Sequence, residues 1–107
     1  MAETTTASSD ETLEQIVERT GAAMRAGNFD AANDIAKQAL EAGMDHPFLL
    51  KARGLWLNAN NEHQEALRAF HHARELAPDD PLALNGIAAV LGAMGQYRPA
   101  LKVLDEY

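Results

Sequence analysis

"AGNFDAA", residues 26–32, reads as a tight turn between two helices, and the same punctuation returns as "NNEHQEA" at 60–66 and "MGQYRPA" at 94–100. The spacing is 34 residues both times. A fixed period of this size marks supersecondary units that stack on one another. Further columns fall into line at the same offset. An alanine column holds Ala32, Ala66 and Ala100, and a small-residue column holds Thr20, Gly54 and Ala88. An aliphatic column holds Ile16, Leu50 and Leu84, and a turn column holds Phe29, His63 and Tyr97. The chain divides into units 13–46, 47–80 and 81–107, the last one short of a full period.

Each unit reads as two helices. In "PFLLKARGLWLNAN" Leu50 and Leu57 recur at helical spacing with Gly54 between them. In "EALRAFHHARELA" the residues Leu67, Phe70, Ala73 and Leu76 form one apolar stripe, as expected of a helix that buries a single side. Asp80 can accept from the free N–H groups that open a helix, and Pro81 suits its first position. Asp45, His46 and Pro47 are placed to do the same one unit earlier. Within the turns, Gly27, Asn61 and Gly95 are the residues best able to take a left-handed backbone. Ser8 with Glu11 is a candidate capping box for the first helix, which would leave residues 1–7 free of it, and residues 1–10 are expected to form a mobile N-terminal tail.

Composition narrows the function classes. Among the apolar residues Ala and Leu dominate and aromatics make up 6%, which favours close helix packing over a β-sandwich. With no Cys, disulfides and thiolate chemistry are excluded. A formal charge of −7 with scattered Lys and Arg argues against duplex nucleic acid and against an anionic membrane surface. "MAETTTASSDE" lacks the basic start and apolar stretch of a secretory signal, so a cytoplasmic location is the default expectation.

The period, the helix-turn-helix units and the signature columns resemble the tetratricopeptide repeat. Unit two carries Leu50, Gly54, Leu57, Ala66, Phe70, Ala73 and Pro78 in the signature columns, and unit three carries Leu84, Ala88, Leu91, Ala100 and Leu104. Unit one departs, with Ala36 where a large apolar residue is usual and Met44 where Pro is usual. Arg19 and Arg53 stand in a usually aliphatic column. The resemblance implies an all-α, right-handed α-solenoid of about three units. Its first helices would line a concave face that binds peptides.

Candidate chemistry is sparse. His71 and Glu75, four apart, share a helix face, the minimum for two metal ligands. No third ligand is in view, and Arg68 and Arg74 repel a cation, so a solvated face is the expected reading. His63 is expected to pack in the turn and His46 to start a helix. Trp56 is expected to fill the space left by Ala36 and Ala39. "GAMGQ" at 92–96 has glycines but no preceding strand, so it is not a phosphate loop. No catalytic constellation, cofactor or metal site emerges.

By the resemblance, the concave face is lined by Val17, Gly21, Met24 and Arg25, by Phe48, Lys51, Leu55 and Asn58, and by Leu82, Asn85 and Ala89. The family's clamp for acidic tails looks absent, since Val17, Gly21, Leu82 and Gly86 stand at its early positions. An apolar peptide or an amphipathic helix of a partner protein suits the face better. The other expectation is that the repeats precede a catalytic domain of a larger bacterial enzyme, such as a sulfotransferase or 2-oxoglutarate oxygenase, which would then be the partner. Leu101, Leu104 and Tyr107 are expected to lack a covering neighbour and to support a twofold homodimer.

Overall fold

The computed structural model describes residues 11–105, which form six helices and no strand. They are α1 (Leu13–Arg25), α2 (Phe29–Glu41), α3 (Pro47–Ala59), α4 (His63–Leu76), α5 (Pro81–Ala93) and α6 (Tyr97–Asp105). The starts of α1, α3 and α5 lie 34 residues apart, and so do those of α2, α4 and α6. The candidate tail at 1–10 and Tyr107 lie outside the described residues.

The repeated turns close in one way. Gly27, Asn61 and Gly95 hold φ of 78°, 66° and 79°. The residue after each donates its N–H back across the turn, Asn28 to Ala23, Glu62 to Leu57 and Gln96 to Leu91, each at 2.8 Å. These bonds satisfy carbonyls that a helix end otherwise leaves open. A connection this short between packed helices reverses the chain.

Helix starts follow the sequence with one correction. Asp80 accepts from the N–H of Leu82, His46 accepts from that of Phe48 through Nδ1, and Pro47 and Pro81 open their helices. Asp45 takes no part in the cap. It stands 3.5 Å from His72 Nε2. The capping box of α1 is Thr12 with Gln15, not Ser8 with Glu11. The true box sits one turn later, directly before the apolar periodicity begins. Ser8 lies outside the described residues, and Glu11 instead pairs with Arg19 at 2.7 Å.

Packing is local along the chain. Every helix touches its sequence neighbours, α3 also touches α1 and α5, and the second helices do not meet one another. The result is an elongated body of 53 × 26 × 22 Å. The aliphatic, alanine and small columns are all buried. The turn column behaves differently: Phe29 and Tyr97 are exposed, while His63 is half-buried with Nδ1 2.8 Å from Asn58 Oδ1. That column supplies the first residue of each second helix. Leu76, placed on the inward stripe by spacing, is exposed at the last turn of α4.

Phe70 occupies the densest point. Its ring is fully buried between Gly54 of α3 and Gly86 of α5. A Cβ on Gly54 would fall 2.6 Å from the ring, and one on Gly86 would fall 2.3 Å away. Both glycines are there because a side chain on either would occupy the ring's own volume. Trp56 does not fill the space beside Ala36 and Ala39, which Ile16, Leu49 and Ala52 take instead. It is half-buried against the Phe70 cluster and donates Nε1–H to Asp30 Oδ1 at 2.7 Å. An indole N–H needs such a partner, and Asp30 at the start of α2 supplies it.

Candidate binding face

The first helices α1, α3 and α5 lie side by side, α3 touching both of the others. Phe48 is half-buried against Gly21 of α1. A Cβ there would stand 3.6 Å from the Phe48 ring and 3.3 Å from an Arg25 guanidinium nitrogen. Gly21 is therefore the seat of Phe48 and Arg25, not a contact residue itself. Lys51 places its ammonium 5.8 Å from the Phe48 ring centroid, within the range of cation–π attraction. Arg25 pairs with Glu18 at 3.2 Å, both well exposed.

Further along, Leu55 and Leu82 are among the exposed large hydrophobic residues, 37% and 40% exposed. Asn85 and Ala89 are exposed beside Leu82 on α5, and Asn58 is half-buried with its amide oxygen turned to His63. α5 carries no charged residue along its length. The face thus has an aromatic and cationic part, with Arg25, Phe48 and Lys51, and an uncharged part, with Leu55, Leu82, Asn85 and Ala89.

Two expected face residues are half-buried and also pack inward. Met24 is half-buried and packs on the Ile16 cluster. Val17 packs on the same cluster and also lines a shallow open hollow of about 400 Å³ with Leu13, Glu14, Glu18 and His46. The spacing that put both on one face is right. Gly86, set among the early groove positions, is buried against Phe70.

On the other side, His71 is exposed and His72 half-buried. Among the described residues no three of His, Asp and Glu converge on a point where a cation could sit. Also among the described residues, no helix is long and apolar enough to cross a membrane. Compared with known protein families and with curated proteins, the chain matches none.

Proposed function

We propose that this chain is a non-catalytic protein-interaction module of the tetratricopeptide kind. In this reading the six helices continue the turn-by-turn rotation of a right-handed solenoid, and the face of α1, α3 and α5 takes an apolar peptide or amphipathic helix from a partner protein. The observation that carries it is the pair Leu55 and Leu82, exposed on consecutive first helices beside Asn85. Exposed apolar residues grouped with a few orienting polar groups are what peptide grooves present. Lys51, with no carboxylate partner among the described residues, adds a positive end and sets a direction.

A displayed library of random 16-residue peptides, selected on the immobilised protein, tests this. Enriched peptides should carry spaced large apolar residues, and binding read by fluorescence anisotropy should weaken at least tenfold in Leu55→Glu with Leu82→Glu. Glu75→Ala, on the opposite side, should leave it unchanged. Peptides that bind the double variant as well as the parent would overturn the assignment.

A further inference from the structure

The first helices are capped by three different chemistries. Asp80 holds the start of α5 by accepting from the N–H of Leu82 at 3.0 Å, and Thr12 holds that of α1 by accepting from the N–H of Gln15 at 3.1 Å. At α3 the acceptor is a ring nitrogen, His46 Nδ1, which takes the N–H of Phe48 at 3.0 Å. Pro47 brings no N–H of its own, so Phe48 carries the first one of this helix. Near neutral pH a carboxylate keeps its charge and a hydroxyl its lone pairs. An imidazole is the side chain that exchanges a proton there. Because Nδ1 accepts, the neutral ring carries its proton on Nε2, and a second proton goes to Nδ1. The ring then has two donors and no acceptor, and it cannot hold the Phe48 N–H.

The charges around His46 decide where the protonated ring goes. On the α3 side, positive charge is opposed by the N-terminal end of the helix dipole. It is opposed too by Lys51, whose ammonium stands 5.8 Å from the Phe48 ring centroid. On the α1 side, His46 borders the open hollow of about 400 Å³ together with Leu13, Val17 and the carboxylates Glu14 and Glu18. Glu18 shares Arg25 at 3.2 Å, whereas Glu14 has no ion-pair partner among the described residues. Asp45, next to His46 in the chain, stands 3.5 Å from His72 Nε2 of α4.

We infer that His46 is a proton-operated latch on the start of α3. Unprotonated, it fixes the Phe48 N–H. Protonated, it releases that N–H and pairs with Glu14 or Glu18 across the hollow. The cap is therefore present while the ring is unprotonated and is lost as pH falls through the ring's titration. Phe48 rests on Gly21 and neighbours Lys51, so release loosens the aromatic and cationic part of the candidate face. Only that last consequence rests on the reading of the face as a peptide site.

Nuclear magnetic resonance of the isotope-labelled chain, followed from about pH 8 to about pH 5, tests the latch without any ligand. The Phe48 amide proton should move upfield with the midpoint of the His46 ring protons. Its hydrogen-exchange protection, corrected for the intrinsic rate, should fall about fivefold. In His46→Asn, which keeps an acceptor and does not titrate, the Phe48 amide should stay fixed. The Leu82 amide, capped by Asp80, should stay fixed in both proteins. Glu14→Gln with Glu18→Gln, two exposed positions, should move the Phe48 transition to more acid pH, because the released ring loses its partners. A Phe48 amide that ignores the His46 titration, or that responds equally in His46→Asn, overturns the latch. So does a ring that takes up no proton before the whole chain unfolds. A transition unmoved in the double variant overturns it as well, since the hollow would then supply no second partner.

Discussion

The seam between α2 and α3 and the seam between α4 and α5 have the same backbone register and opposite contents. At the first, Thr20, Ala36 and Ala52 share the volume among three modest side chains. At the second, the equivalent positions are Gly54, Phe70 and Gly86, and one ring takes all of it. Polarity inverts as well. The first seam crosses through hydrogen bonds, Arg53 to Asn33 at 2.9 Å and Trp56 to Asp30 at 2.7 Å. The second is apolar where Leu67, Ile87 and Val90 meet. A repeat geometry constrains total volume and hydrogen-bond satisfaction at a seam, and leaves open which residue supplies them.

The sharpest way to break this comparison is Phe70→Ala. It empties the second seam at its centre, with glycine on both sides. A loss of about 3–5 kcal/mol is expected, a large part of the stability of a small domain. Urea denaturation followed by circular dichroism reads it. The equivalent Ala36 cannot be truncated in this way, which is itself the contrast. If Phe70→Ala melts within about 1 kcal/mol of the parent, the ring is not the filler of that seam.

Gly86→Ala comes next. Alanine in a helix is favoured over glycine by about 1 kcal/mol, so in open space the change would stabilise. Here the new Cβ meets the ring at 2.3 Å, and Gly54 closes the ring's retreat on its other side. A net loss of about 1–3 kcal/mol is expected from overpacking. Phe70→Leu in the same chain should recover most of it, with a coupling of about 0.5–3 kcal/mol. Additive losses in the double variant would show that the glycines answer to something other than the ring.

The first seam is tested through its polar bridge. Asn33 is buried, and its side-chain oxygen accepts from Arg53. Arg53→Ala strands that oxygen and should cost about 1–3 kcal/mol. Replacing both, Asn33→Leu with Arg53→Ile, transplants the residues found at the equivalent positions of the second seam. Apolar replacement of both partners can be neutral or better, so the double variant should regain at least the parent's midpoint. Should it prove weaker than Arg53→Ala alone, the two seams are not interchangeable and the equivalence between them fails.

Much of this organisation could be read from the residues. The period, the left-handed turn positions and the buried columns depend on local chemistry that each segment carries by itself. What escaped reading depends on neighbours. Trp56 looked like core because it is large, but its indole needed an acceptor, and Asp30 lies 26 residues away. Gly86 looked like a groove position because nothing in α5 announces that Phe70 of α4 points at it. Leu76 kept the apolar spacing past the point where α5 could cover it. On the candidate face, spacing identified Leu55, Leu82 and Lys51 as surface residues of first helices. Separating them from Met24 and Gly21 required their neighbours, the Ile16 cluster for one and the Phe48 ring for the other.

Trp56 offers the smallest expected effect and the finest discrimination between the seams. Its Nε1–H bond to Asp30 bridges α3 to α2 at the exposed rim, where water can replace either partner. Trp56→Phe keeps most of the apolar contact with the Phe70 cluster and removes the donor, so a loss of about 0.5–1.5 kcal/mol is expected. Asp30→Asn keeps an acceptor oxygen while removing the charge, and should cost less. Because Trp56 is the sole tryptophan, its emission reports directly on this contact. In Asp30→Asn the emission maximum should move while the far-ultraviolet circular dichroism and the melting midpoint stay nearly fixed. If Asp30→Asn instead lowers the midpoint as far as Arg53→Ala does, the rim bridge is as tightly coupled to the fold as the buried one. The first seam would then be held by its polar contacts along its whole length, and not at Asn33 alone.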